Sequence, residues 1–528
     1  MKYIIDSENM GLQKERGLPQ KIIRNTIFNI IGRLWAILVV LFLTPYIIGH
    51  IGIERYGIWA VVGIVTGYFG LLDFGIGTSF IKYISEFYTR RDYEKINQVI
   101  NTGFAFYSMF ALFFIALAFF IINPLLNFFN IPEKLYNEAS FVFLLGFILF
   151  CISQAINSFT SIQGGLQRMD ITNKVSIAIS IPLVIGTIYF LERGYGLPGL
   201  MINNAIVLLI SSIINIAIAF KLLPELEFNP LLFNKDMFKK LFGFGYKIQI
   251  SRIANLIHFH LDKVLLAHFL NIGLVTFYTV AAQLAFKVRE VPSLLVSAIF
   301  PAASELQARA NKDSLYKLYF RSMKYVFLIA LPISLLAILL AKPFIALWLG
   351  EGYEKSALTL QVLVIGYFLN VMAVPAFFIL SGIGKPQYGM RASILAAVLN
   401  LILSILLVIK IGYFGVVIGA AISMVVGAVY LISMAYRIIN IPFWKTSLKI
   451  FLRPLLACGI SATTIYILIN QIEQRGIGWG SLSIIGILYV MIFSLFILVT
   501  NYFDEFDKSI INKYSPFRIF NTRQTKGL

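Results

Sequence analysis

Fourteen long apolar segments separated by short polar gaps make up most of this chain, centred on residues 27–48, 57–80, 99–122, 139–163, 174–191, 197–220, 246–270, 274–300, 326–348, 357–381, 389–409, 414–436, 450–469 and 481–502. Each is about the 17 to 25 residues that a helix needs to cross ~30 Å of hydrocarbon. The pattern therefore predicts an all-α polytopic membrane protein of about fourteen transmembrane helices. The gaps differ in charge. Of the 44 Lys and Arg residues, thirty fall in the two tails and the alternate gaps, with Lys174 and Arg391 at the segment edges counted with the gaps they border, and six fall in the gaps between those. Positive charge is retained on the cytoplasmic side, so both termini are expected inside a cell (inner, cytoplasmic) membrane.

Composition agrees with this picture. The 528 residues are 59% hydrophobic and 13% charged, with mean hydropathy +0.83, whereas soluble chains are nearer half apolar and a quarter charged. The net charge of +19 is spread over eight segments without an aromatic-interleaved patch. That argues against nucleic acid and for attraction to anionic inner-leaflet lipids. Residues 1–24 lack the short apolar region and small-residue cleavage site of a cleavable signal, so the first span is expected to act as an uncleaved anchor. Cys151 and Cys458 lie within spans, where packing is the expected role and neither a disulfide nor a metal site is. The external gaps are short, the longest running from Asn123 to Glu138. No nucleophile-base motif, phosphate-cradling glycine loop or metal-protease signature appears. No enzyme, cofactor or metal is expected.

The chain also repeats. Gly52 pairs with Gly273, Ser85-Glu86 with Ser304-Glu305, Asn123-Pro124 with Lys342-Pro343, Gly164 with Gly382, and Gly194-Tyr195 with Gly412-Tyr413, all at an offset of 218 to 221 residues. A repeat unit of six spans gives two copies with the same orientation in the membrane, related by an axis along its normal. Substrate would bind near the midplane between them. The expected organisation is a tail (1–23), an N-terminal six-helix lobe (24–222), an amphipathic linker (223–242), a C-terminal six-helix lobe (243–439), two additional spans (440–502) and a second tail (503–528). The linker sequence FNPLLFNKDMFKKLF reads as an amphipathic helix at the inner membrane surface, and the tail from Phe503 to Phe520 has the same mixture.

Ionisable residues inside spans cost about 2.5 to 3.5 kcal/mol each and usually mark a substrate or ion path. Arg33 in span one and Arg252 in span seven lie 219 residues apart, the repeat offset. Two guanidiniums at matching depth suit a polyanionic head group, because their planar donors match phosphate oxygens. The alternative is that each snorkels to the inner interface or caps helix carbonyls. Span seven adds Lys263, three turns beyond Arg252 on nearly the same face, with Asn255 between them. Asp262 points about a quarter-turn away, and His258 and His260 read as packed or hydrogen-bonded. Span eight carries Gln283, Lys287, Arg289 and Glu290. Lys287 and Glu290, at i and i+3, can neutralise each other, which leaves Arg289 uncompensated. Glu290 is a candidate proton carrier. Asp73, in LLDFGIG, either titrates in transport or pairs with Lys82 or another basic residue.

The stretch ERYGIWAVVGIVTGYFGLLDFGIGTSFIKYISE from Glu54 to Glu86 resembles the second-span signature of the polysaccharide and O-antigen flippases of the multidrug/oligosaccharidyl-lipid/polysaccharide exporter superfamily. AKPFIALWLGEGYEKSA, from Ala341 to Ala357, is similar to the stretch joining spans nine and ten of that family. The resemblance implies two six-helix lobes in a V around a cationic cavity, exposed alternately to the two sides. It implies a polyprenyl-diphosphate-linked oligosaccharide as cargo, moved from inner to outer leaflet, with membrane lipids as surroundings and a polysaccharide polymerase and glycosyltransferases as partners. In related lipid II flippases, cavity arginines on the first and seventh spans bind the diphosphate, and Arg33 and Arg252 occupy those spans here. Two extra C-terminal helices help form a groove for the lipid tail in those relatives, a role open to spans thirteen and fourteen. A cation-coupled multidrug exporter of the same superfamily is the alternative, but it wants a carboxylate where span one offers Arg33. A membrane-embedded polymerase wants a large external loop.

Overall fold

A computed structural model describes residues 2–70, 76–229, 233–293, 303, 306, 312–439, 443–473 and 478–514, with side chains undescribed chiefly at 2–31, 33–34 and 244–259. Among these residues there are helices and turns but no strand. The chain divides into two compact units, Met1–Thr276 and Phe277–Leu528.

The first unit contains α1 (Lys2–Phe69), α2 (Ile76–Thr89), α3 (Tyr93–Phe128), α4 (Tyr136–Gly165), α5 (Met169–Glu192), α6 (Gly196–Leu222) and α7 (Lys235–Phe269). Helix α1 is broken at Gly52, whose φ of 80° and ψ of 173° suit a residue without Cβ. That break separates the first and second apolar segments. Between α2 and α3, Arg91 takes a left-handed φ of 58°, and the amide of Asp92 returns to the Phe87 carbonyl at 3.0 Å. This closes one helix in the Schellman manner. The Asp92 carboxylate then accepts from the Lys95 amide at 3.2 Å and satisfies an orphan N–H of the next helix. The apolar core at this end gathers Phe80, Phe87, Ile96, Tyr107 and Phe159.

The linker differs in part from the sequence expectation. Residues 223–229 are not helical, while Lys235 onward runs without interruption into α7. Asn234 supplies the reason by accepting from the Met237 amide at 2.8 Å as an N-cap, and no proline follows before the helix ends at Phe269. The linker is held to α3 through Asn97, Asn101 and Thr102. Asn101 donates to the Glu227 carbonyl at 2.9 Å and accepts from the Asn229 amide at 3.0 Å, and the Thr102 hydroxyl accepts from the Asn234 amide at 3.1 Å.

The second unit takes most of α8 (Ile272–Ser293), then α9 (Lys312–Leu349), α10 (Glu354–Met372), α11 (Val374–Gly382), α12 (Gln387–Ile411), α13 (Tyr413–Ile439), α14 (Phe443–Glu473), α15 (Trp479–Val499) and α16 (Glu505–Tyr514). α10 and α11 are one apolar segment in sequence. They part at Ala373 because Pro375, early in α11, has no N–H to continue the ladder. The core here is built around Tyr319, Phe327, Val371, Ala376 and Ile379, with α14 and α15 paired beside α9.

Among the described residues, eleven helices are long and apolar enough to cross a membrane. Their outward faces are apolar too: Phe120 is 78% exposed and Val499 71%, an arrangement water would not tolerate over so many helices. The chain is a multi-pass membrane protein. The repeat landmarks keep their structural roles, since Pro124 lies inside α3 and Pro343 inside α9. Gly194 (φ 75°) and Gly412 (φ 62°) each turn the chain into the next span.

Candidate substrate-binding site

Helix α8 carries the clearest polar face in the second unit. Thr279, Gln283, Lys287 and Glu290 follow spacings of four, four and three, so they stand one above another on a single face. Lys287 Nζ and Glu290 Oε2 are 2.8 Å apart, as the sequence spacing anticipated. Thr279 Oγ1 and Gln283 Oε1 are buried without a hydrogen-bond partner. A native structure rarely leaves such atoms unpaired unless water or a ligand meets them.

Arg289 departs from the expectation that it stands uncompensated. Its Nε donates to Asn370 Oδ1 at 2.8 Å, and its guanidinium lies 5.6 Å from the Phe286 ring. Phe286 in turn meets Tyr367 edge-on at 6.2 Å. Asn370 sits in the last turn of α10, where the helix stops ahead of Pro375. The amide acceptor orients the guanidinium, whose planar donors have the geometry that suits a phosphate or carboxylate. Sequence reasoning missed Asn370, and the only signal available was a polar residue just ahead of a Val-Pro break in an apolar run.

In the first unit, Lys263 on α7 is half-buried beside Asp262, which is 1% exposed. One turn earlier, His260 keeps its Nδ1 buried without a partner. Arg33, Asn255 and Arg252 carry side chains outside the described set, and Asp73 lies outside the described residues. Cys151 and Cys458 are both buried free thiols.

Helices of this length and order make up a class of membrane-protein fold already seen in solved structures. The structure matches a lipid II flippase, MurJ in an inward closed conformation, with a TM-score of 0.70 at 17% identity, covering 90% of this chain and 98% of that one. It also matches an inward-facing multidrug resistance MATE family transporter of the MOP superfamily, with a TM-score of 0.67 at 16% identity, covering 80% and 98%. The fold is shared with both of these proteins.

Within that class, the chain belongs to the polysaccharide biosynthesis protein family, whose profile matches residues 51–358. It is 24% identical over 420 residues to a putative O-antigen transporter of Shigella flexneri, covering 78% of this chain and 96% of that one. It is 23% identical over 380 residues to a putative O-antigen export protein of Yersinia pseudotuberculosis, covering 67% and 82%.

Proposed function

We propose that this protein is a flippase that moves a polyprenyl-diphosphate-linked oligosaccharide from the inner to the outer leaflet by alternating access, for assembly of cell-surface polysaccharide. The observation that carries this reading is the similarity to a putative O-antigen transporter across 96% of that relative's length. The chemistry of the spans supports it, because a diphosphate-sugar head crossing ~30 Å of hydrocarbon needs fixed cations. In this reading Arg33, Arg252 and Arg289 meet the diphosphate, and Asn255, Lys263 and Lys287 line its path. Asp73 and Glu290 are the candidates for ion coupling. Both termini lie in the cytoplasm, residues 24–222 and 243–439 form the two lobes, and the neighbouring machinery is a polymerase and glycosyltransferases.

Purified protein in vesicles, given fluorescent polyprenyl-diphosphate oligosaccharides, tests this directly. Wild type flips them, and Arg33→Ala and Arg252→Ala each abolish flipping at equal protein per vesicle. Absence of flipping together with cation-driven efflux of a dye would transfer the protein to the drug-exporter side of the superfamily, the alternative that the MATE fold match leaves in view.

A further inference from the structure

One ridge of α9 changes character along its length. Lys317, Arg321, Tyr325, Ile329 and Ile333 follow one another at i+4, so they share one helix face. The first two are cationic and the last two aliphatic. A cavity of about 610 Å³ opens over Lys317, Arg321, Tyr325 and Phe506. A second of about 470 Å³ continues over Ile333 and Leu336, with Val490 and Phe493 of α15 as its other wall. The two share Leu328 and Ile329 and form one groove with a basic mouth and an apolar body. Each volume falls in the range of about 300 to 1,000 Å³ typical of ligand pockets.

Asp507, the nearby acid, is engaged by Lys324 and by the Tyr325 hydroxyl. Among the described side chains, no acid stands within ion-pair distance of Lys317 or Arg321. Arg321 lies flat on the Phe506 ring, 3.4 Å from its centroid, which holds the guanidinium in place and leaves its edge N–H groups to meet an anion. The apolar part, from Tyr325 to Leu336, rises about 16 Å at ~1.5 Å per residue. That is close to half of the ~30 Å hydrocarbon thickness, the depth of one leaflet.

We propose that this groove is a binding site for an anionic glycerophospholipid of the inner leaflet, with its phosphate on Lys317 and Arg321 and one acyl chain lying along Ile329 and Ile333 toward α15. A polyprenyl chain, longer than one leaflet is deep, fits the length poorly. Its lining shares no residue with the cargo path proposed above.

The test uses the full-length protein in detergent, offered equal amounts of phosphatidylglycerol and phosphatidylcholine with identical chains, with retained lipid read by native mass spectrometry. Wild type retains phosphatidylglycerol over phosphatidylcholine by about tenfold, given two basic residues at the membrane surface. The Lys317→Ala/Arg321→Ala variant brings that ratio to near one, and Ile329→Trp lowers retention of both lipids. Because the ratio is internal to each sample, partial unfolding does not mimic it. Equal retention by wild type, or an unchanged ratio in the double variant, overturns the proposal. So does displacement of phosphatidylglycerol by an equal amount of polyprenyl phosphate, which would give the groove to a cargo tail instead.

Discussion

In each unit the first turns of a long helix, α3 or α9, are covered by an amphipathic segment from later in the chain, but the two covers are fastened by different chemistry. In the first unit, Thr102 and Phe106 of α3 meet the linker, one through the Asn234 amide at 3.1 Å and the other ring to ring with Phe238 at 5.2 Å. At an offset of 219 residues, Arg321 and Tyr325 of α9 meet the tail helix α16, one on the Phe506 ring and the other through the Asp507 carboxylate. Neutral amides hold the first cover, and a buried ion pair holds the second. Lys324 is 5% exposed and Asp507 2%. The ammonium also donates to the Tyr502 carbonyl at 3.1 Å, so both charges are hydrogen-bonded as well as paired. The same scaffold can be closed by groups indifferent to ionisation or by groups that depend on it.

The largest test of that contrast is Asp507→Ala, which strands the Lys324 ammonium in a buried site and is expected to cost about 3 to 5 kcal/mol. Asn101→Ala, which removes the corresponding polar tie in the first unit, should cost about 1 to 3 kcal/mol. Thermal unfolding in detergent compares them, and equal losses would dissolve the distinction. The double change Lys324→Met/Asp507→Leu should recover most of the loss, since two apolar groups leave nothing unpaired.

Arg289→Ala is next in size. Loss of a charge-assisted contact of about 1.5 to 3 kcal/mol should slow flipping roughly tenfold to a hundredfold. Asn370→Ala, which only frees the guanidinium to wander, should slow it less, and vesicle transport assays order the two. Should Asn370→Ala prove the worse, the amide itself contacts cargo.

Losses of the same sign are expected at the repeat's shared turns. Gly194→Ala forces a side chain into the left-handed region, at about 1 to 2 kcal/mol, and Gly412→Ala, at φ 62° and ψ −135°, costs at least as much because that conformation is more strained. A smaller melting shift for Gly412→Ala than for Gly194→Ala would show that the second turn relaxes.

The smallest effect is expected from pH across the ordinary range. Burial raises the Asp507 carboxyl, but hydrogen bonds from Lys324 and Tyr325 outweigh it, so the group ends below its usual value. A carboxylate depressed in the folded state contributes stability above the unfolded value of about 3.9. That contribution is lost only as pH falls through the lowered folded value. Stability should therefore be flat from about pH 8 to 5 and fall below about pH 4, whereas Asp507→Asn should show no such acid limb.

Hydrophobic runs of membrane length are dictated by the hydrocarbon itself, so the spans and the six-helix repeat were readable from the sequence without a structure. The Lys287–Glu290 pair was readable too, because a helix fixes neighbours at i and i+3. Asn370 was not. It lies 81 residues from Arg289, and only the packing of α10 on α8, with α10 cut short ahead of Pro375, brings the two together. Nor did the sequence reveal that the linker runs without a break into α7, since a polar-to-apolar change in composition resembles a boundary even where the N-cap at Asn234 starts one continuous helix.

The sequence alone determined the class of molecule, the span pattern, the repeat and the one-sided bias of positive charge, because each follows from local composition set against a bilayer of fixed thickness. Tertiary structure alone decided which charges are spent and which are available. Lys324 meets Asp507 across 183 residues, while Arg321, three positions earlier, meets an aromatic ring and no acid among the described side chains. Partners so far apart in the chain are chosen by how helices pack, and no local pattern records that choice.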